Sequence, residues 1–277
     1  MDHRIVQAVR IIERHMVDDV QFGWVAEQVG LSVSRLHHLF AAEVGTPPAT
    51  YLRRLRLEAA VHRLRWSDET VGRIAAGLGY ASQASFTHAF VDRFGATPQR
   101  FRRSFREGLI EPGPGDMSPP LAVREVSGFR VLTRRYVGSL HDVRQYWTDF
   151  WARLPGRPER WRSEIFLGLL YDDPRTTSDV HARYDCCVKI GEAASFDQDQ
   201  VREAGLHVTT TRAGLYATLP FAGRREDVEG TYRMLCDHWA RASRYTITED
   251  PAIELHAGPR HHMPPEALRF TILLPLE

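Results

Sequence analysis

The sequence predicts a multidomain chain: an all-α domain of two tandem helix-turn-helix units at residues 1–106, a linker at 107–120, then an α+β domain at 121–277 built from two strand–helix–strand–strand repeats. Three observations predict it. A helical pattern near the start recurs at an offset of 50 residues, and a mixed strand-and-helix pattern in the second half recurs at an offset of 85. Between them Glu107 to Pro120 reads EGLIEPGPGDMSPP, whose four prolines and three glycines have the composition of an exposed connector.

In the first domain, Ile5, Val9, Ile12 and Met16 are spaced 4, 3 and 4 residues apart, which predicts a helix over about 4–17. Trp24, Val25 and Val29 mark a short second helix. Ser32 to Val44 reads as a third, with Leu36, Leu39 and Phe40 inward. Pro48 can open a long helix reaching about Arg65, with Leu52, Leu55, Ala59 and Leu64 along one side. Val71, Ile74, Ala75 and Leu78 form a short helix ending at Gly79. Ser82 can cap the next, because its hydroxyl accepts from amides of the first turn that have no helical partner. There Phe86, Phe90 and Phe94 predict a buried stripe, leaving Gln83, Ala84, Thr87 and His88 on the wet face. Gly95 stops that helix, and Pro98 starts a closing one to about Phe105. Ser32/Ser82, Leu36/Phe86, Phe40/Phe90, Gly45/Gly95, Pro48/Pro98, Tyr51/Phe101 and Arg53/Arg103 all differ by 50, whereas Ala26/Ala75 and Gly30/Gly79 differ by 49. One residue is therefore inserted in the second turn.

The second domain has a different texture. Val123 to Tyr136 is β-prone, with Gly128 as a turn, and His141 to Leu154 is helical with Val143, Trp147, Phe150 and Trp151 inward. Ile165 to Tyr171 and Tyr184 to Ile190 read as strands. Val131/Tyr216, Tyr136/Phe221, Gly138/Gly223, Val143/Val228, Trp147/Tyr232 and Pro174/Pro259 share the offset of 85, so two helices are expected on one face of a pseudo-twofold sheet.

Composition sets the outer bounds. The 277 residues allow about two domains, and 43% hydrophobic with 26% charged residues describes a globular protein. No apolar run approaches the roughly 18 residues of a membrane span, and no signal-peptide core precedes the first helix, so a cytoplasmic protein without membrane partners is expected. Three cysteines, two of them adjacent (Cys186, Cys187), read as reduced thiols. The net charge of +1 conceals an asymmetry: residues 1–106 carry 15 arginines against 10 acidic residues, and the remainder is net −4. A basic front and an acidic back suggest different partners.

The front part resembles the AraC/XylS family of bacterial transcription regulators, from about Ile5 to Arg103, including the closing run Gly95-Ala-Thr-Pro-Gln-Arg-Phe-Arg102. The back part resembles a GyrI-like effector-binding domain, through Tyr171-Asp-Asp-Pro174, Arg183-Tyr-Asp185, Gly214-Leu-Tyr-Ala217 and Pro251-Ala-Ile-Glu254. The resemblance implies a sequence-specific regulator that binds double-stranded DNA and a small-molecule effector, and meets RNA polymerase if it activates. It implies base-edge readers at Ser34, His37 and His38 in the first unit and at Gln83, Ala84, Thr87 and His88 in the second. Gln83 suits adenine through a bidentate pair, and a neutral imidazole can donate or accept at a base edge. Arg35, Arg53, Arg54 and Arg103 are expected at phosphates, which position without specifying. Two units in one chain can read two groove segments without a dimer, so the oligomeric state stays open.

The effector half offers a candidate ligand site. Alternation puts Glu254 and His256 on one strand face, while the counterpart of Glu254 at offset 85 is the apolar Leu169. A carboxylate there needs a partner. A hydrophobic cation enclosed by Trp147, Tyr171, Tyr216 or Phe221 would supply one, with cation–π attraction added. In the alternative the aromatics are core and Glu254 pairs with an arginine. No metal or other cofactor is expected, since the histidines after Glu254 lack carboxylate or thiol partners, and no phosphate-binding glycine loop is present. No catalytic residue is expected and the chain reads as a regulator, not an enzyme. Two other roles stay open for the second half: a protein-interaction module, or a small-molecule hydrolase using Glu254 with His256.

Overall fold

The computed structural model describes residues 1–106, 121–156, 158–161, 164–173, 176–240, 243–256, 258, 260–264 and 266–277. The expected linker at 107–120 and the prolines Pro174 and Pro259 lie outside the described residues. The chain divides into two compact units, Met1–Pro114 and Gly115–Glu277.

The first unit is helical: α1 (His3–Arg14), α2 (Phe22–Gln28), α3 (Val33–Val44), α4 (Pro48–Trp66), α5 (Val71–Gly77), α6 (Gln83–Phe94) and α7 (Pro98–Arg106). Helices α3 and α6 begin and end alike. Ser32 accepts from the Arg35 amide and Ser82 from the Ser85 amide, at 3.2 and 3.1 Å. Gly45 and Gly95 close α3 and α6 in the left-handed region, at φ 76° and 70°, where a side chain would be strained. Helix α4 serves both helix-turn-helix motifs of this unit, burying Tyr51, Leu52 and Leu55 near its start and Leu57, Ala60, Val61 and Leu64 further along, the latter against Ile74, Leu78, Phe86 and Phe90. Its Arg56 donates to the carbonyls of Met16 and Asp18, both at 2.7 Å, and to that of Gly79 at 3.1 Å, so one guanidinium ties the segment after α1 to the turn between α5 and α6. Phe94 departs from the expected stripe, being only half-buried beside Phe90 and Phe101.

The second unit holds one antiparallel eight-stranded sheet: β1 (Ala122–Val126), β2 (Arg130–Val137), β3 (Phe166–Leu170), β4 (Arg183–Lys189), β5 (His207–Thr210), β6 (Gly214–Gly223), β7 (Ala252–His256) and β8 (Leu268–Pro275). The order is β1-β6-β8-β7-β3-β4-β2-β5. Helices α8 (Val143–Arg153), α9 (Gln198–Glu203) and α10 (Asp227–Arg233) interrupt it, and α10 runs into a π-helical turn, Met234–Trp239. Gly128 does not turn a hairpin: β1 pairs with β6, whereas β2 pairs with β4 and β5. Val126 and Arg130 are four residues apart, a reach of about 14 Å, yet their strands are six places apart, which in a flat sheet is about 29 Å. The sheet therefore curls until its ends approach.

The curl gives two buried faces. Leu132, Phe166, Tyr184, Cys186 and Val188 pack under Val143, Trp147 and Phe150 of α8, whereas Val131, Leu167, Leu169, Cys187, Tyr216, Ile253 and Leu273 form a separate cluster on the other face. The adjacent Cys186 and Cys187 are both buried and outside any disulfide, one on each face. Among the described residues no helix is long and apolar enough to cross a membrane.

Candidate functional site

The N-terminal turns of α3 and α6 present their side chains outward. Ser34, Arg35 and His38 are exposed on α3, and His37 is half-exposed with its ring edge-on to Phe22 at 5.8 Å. On α6, Gln83, Ala84 and His88 are exposed and Thr87 is half-exposed. Neither helix carries an acidic residue in its first turn, so the partial positive charge of each terminus stays available to an anion. Val33, at the offset of 50 from Gln83, is 47% exposed at the head of α3. The repeat could have found it, but an apolar residue does not stand out as a reader. Arg53 is exposed and pairs with Asp92 of α6 at 3.1 Å, and Arg103 is exposed. Arg54 corrects the expectation of a phosphate contact: it is 7% exposed, lies over the Tyr51 ring at 5.0 Å and stands 3.7 Å from Glu58. Its place on the inner side of α4 makes it a core residue.

In the second unit the register decides what meets what. Pairing β3 with β7 sets Phe166 opposite His256 and Gly168 opposite Glu254, on the face that α8 covers. A Cβ on Gly168 would lie 1.8 Å from the Tyr184 hydroxyl and 3.1 Å from Glu254 Oε2. The missing side chain is what lets tyrosine and carboxylate meet. The Tyr184 hydroxyl donates to Glu254 Oε2 at 2.8 Å and accepts from Trp147 Nε1 at 3.3 Å and Arg260 at 3.2 Å, which uses its one proton and both lone pairs. Arg260 also hydrogen-bonds Glu254 directly and lies over the Phe270 ring at 5.5 Å. Of the two partners expected for the carboxylate, a bound cation or an arginine, the structure shows an arginine of the same chain.

Burial would raise the Glu254 pKa, but the Arg260 guanidinium overcomes this and holds it down to about 2. Burial pushes His256 below the usual imidazole range, so the ring is neutral, with Nε2 3.6 Å from Glu254 Oε2. Neither ring nitrogen of His256 has a hydrogen-bond partner among the described residues, nor has the buried Tyr232 hydroxyl. Burial raises the Tyr232 pKa well above the phenol range, and the Glu254 charge adds to it.

Of the six sequence-predicted ligand residues, the structure gathers four. Trp147 packs edge-on to His256 at 5.7 Å, and Phe221 stacks on Phe270 at 4.7 Å, on the strand face that carries Glu254. Tyr171 and Tyr216 lie on the opposite face. Tyr171 donates to Asp185 at 3.0 Å under the guanidinium of Arg135, and Tyr216 donates to the Arg212 carbonyl at 2.9 Å. Alternation along each strand separates them from Glu254. The sequence reading missed Gly168, Tyr184, Arg260 and Phe270 as members of the cluster. A glycine inside an apolar strand is a usable signal of close approach, whereas Arg260 sits in an irregular stretch with no period to read.

The fold and these two groups of residues define a class: a helical unit with two helix-turn-helix motifs, followed in the chain by a curled-sheet unit with a buried polar cluster. Residues 25–104 match the family model of a helix-turn-helix domain, and residues 119–277 that of a GyrI-like small molecule binding domain. The chain belongs to the GyrI-like family and carries a helix-turn-helix domain before it. It is similar to the HTH-type transcriptional activator RhaS of Escherichia fergusonii, 34% identical over 102 residues, 37% of each chain. The RhaS protein of Escherichia coli O139:H28 is 36% identical over 100 residues, 36% of each. The chain thus spans little more than a third of the length of these curated relatives. A transcriptional regulator structure from Chromobacterium violaceum, described as AraC-type, is 26% identical over 40% of this chain and 95% of that one, with a TM-score of 0.36.

Proposed function

We propose that the protein is a sequence-specific, DNA-binding transcription regulator whose second unit binds a small molecule that modulates it. Residues 1–106 would hold the DNA, 107–120 connect, and 121–277 take the effector. Ser34, His37, His38, Gln83, Ala84, Thr87 and His88 would face base edges, with Arg35 and Arg53 at phosphates. Trp147, Phe221, Glu254 and His256 would face the effector, joined by Tyr184, Tyr232 and Arg260; the placement of Tyr171 and Tyr216 does not support their inclusion. RNA polymerase is a partner if the protein activates.

The observation that carries the effector reading is unfilled hydrogen-bonding capacity at a buried place: His256 Nδ1 and the Tyr232 hydroxyl have no hydrogen-bond partner among the described residues, and His256 Nε2 has only the long contact to Glu254 Oε2 at 3.6 Å. Buried polar groups are normally satisfied, and leaving one bare costs about 1–3 kcal/mol. Hydrolysis by Glu254 is the weaker reading. A general base works best with a pKa near the operating pH, and a carboxylate held at about 2 is a poor one.

The hydrophobic cation expected from the sequence would have to displace Arg260 to reach the carboxylate. Full-length protein titrated with duplex DNA from a random-sequence selection tests the proposal. Affinity should fall steeply with salt as phosphate contacts release counterions, and a small molecule that raises the melting temperature should shift that affinity. Folded protein without salt-dependent DNA binding would refute the DNA half, and DNA affinity indifferent to every stabilising compound would refute the effector half.

A further inference from the structure

We infer that Arg260 sets the charge class of the effector: its pairing with Glu254 makes the buried site electroneutral and selects an uncharged, planar, hydrogen-bonding aromatic molecule over a cation. The inference rests on the effector reading above and narrows it.

Three charged or titratable side chains converge there. Arg260 is 5% exposed, Glu254 3% and His256 1%, and the guanidinium and carboxylate are bonded to each other and to the same tyrosine oxygen. With the imidazole neutral the sum is zero, so no net field draws in a cation. An incoming cation also faces a tethered competitor. Arg260 follows Glu254 by six residues, and a group on so short a tether acts at an effective concentration of millimolar or above. A micromolar cation must beat it on contacts alone. An anion does no better, since it would approach Glu254 while the guanidinium is already engaged.

A neutral molecule leaves the pair in place and answers what is unfilled. The phenol of Tyr232 can donate or accept and has no hydrogen-bond partner among the described residues; neutral His256 turns Nε2 toward Glu254 at 3.6 Å, which leaves Nδ1 as an open acceptor. The apolar surroundings are ring faces and edges: Trp147 lies 5.7 Å and Phe270 5.1 Å from the His256 ring, and Phe221 stacks on Phe270. A flat molecule with a carbonyl and an N–H or O–H fits this set.

The test compares three tricyclic probes of one shape: neutral acridone, cationic 9-aminoacridine and anionic acridine-9-carboxylate, titrated by fluorescence against the full chain. Wild type should bind acridone at least tenfold more tightly than either charged probe. Arg260→Met exposes the carboxylate and should reverse the order, raising 9-aminoacridine affinity at least tenfold. Because that variant strands a buried charge, Glu254→Gln/Arg260→Gln is measured beside it. With no charge to strand, the double variant should keep the neutral preference. Cation preference in wild type, or in the double variant, overturns the inference while leaving a small-molecule site standing. So does an unchanged order in folded Arg260→Met. Binding of none of the three to any of the proteins counts against both the inference and the effector reading.

Discussion

Tyr184 and Glu254, 70 residues apart in sequence, meet through a 2.8 Å hydrogen bond across the position where Gly168 has no side chain. The tyrosine oxygen also receives Trp147 of α8, so a helix and two strands separated by β3 are bound at one atom.

The first prediction follows from that crowding. Gly168→Ala places a methyl group against the Tyr184 hydroxyl and should destabilise by about 1–3 kcal/mol, as overpacking does. Tyr184→Phe should cost about 1–3 kcal/mol by leaving Glu254 one donor short. The phenylalanine also removes the nearer of the two atoms the new methyl strikes, the hydroxyl oxygen at 1.8 Å, and leaves the ring carbon at 2.5 Å. In a double-mutant cycle by urea denaturation, the alanine should therefore cost at least about 1 kcal/mol less in the Tyr184→Phe background. Additive effects would mean that the two residues do not share the contact.

The second concerns pH. The Glu254 carboxyl has a pKa of about 2 when folded and about 4.5 as an ordinary side chain. Its contribution is present in full above about 4.5 and is lost as pH falls toward 2, by up to roughly 3 kcal/mol at 1.36 kcal/mol per unit. Neutral, buried His256 acts in the same direction, since it too binds its proton less readily when folded. Urea midpoints between pH 7 and pH 2.5 should fall further for wild type than for Glu254→Gln. Parallel curves would show that the carboxylate is not held ionised by Arg260.

A third prediction separates three polar residues of the first unit. Gln83→Ala should relax preference at one base position, by about 1–3 kcal/mol on the best site. Arg53→Ala should weaken all sequences alike and lower the salt slope by about one, since its exposed pair with Asp92 is weak enough to yield to a phosphate. Arg54→Ala should lower the unfolding midpoint and leave the salt slope of folded protein unchanged, because its side chain is buried on Tyr51. Quantitative DNA binding at several salt concentrations distinguishes all three.

A fourth concerns Val33, the counterpart of Gln83. An exposed valine at the head of a reading helix is suited to the methyl group of thymine. Val33→Ser should leave stability within about 0.5 kcal/mol while flattening preference at one thymine. Uracil in place of that thymine should weaken wild type and leave Val33→Ser unaffected.

The first unit was legible because helical order is local. Ser32, Ser82, Gly45 and Gly95 act within a turn of their own helices, and a residue offset of 50 is visible without knowing what packs on what. The second unit was legible only strand by strand. Alternation puts Glu254 with His256, but that Tyr216 lies on the opposite face depends on the pairing of Tyr216 with Pro275 and of Glu254 with Ile272, which no single strand encodes. Arg54 shows the same limit in a helix: its charge suggested phosphate, and only the packing of α4 against Tyr51 turned it inward. Arg260 was invisible because it reaches Glu254 from a 3-10 turn, Arg260–His262, and not from a periodic element.

The sheet order also governs when this protein can become itself. Strand β8 is the last of the eight along the chain, yet it lies between β6 and β7 and joins β1-β6 to the rest. β1 waits for β6, with Ala122 pairing to Thr218 96 residues later. The helices of the first unit need only neighbours already made, but the curled sheet cannot close until Leu268–Pro275 has left the ribosome. A nascent chain stalled before Leu268 should carry a protease-resistant front and a digestible back. During synthesis, the part proposed to read DNA is thus complete before the part proposed to control it exists.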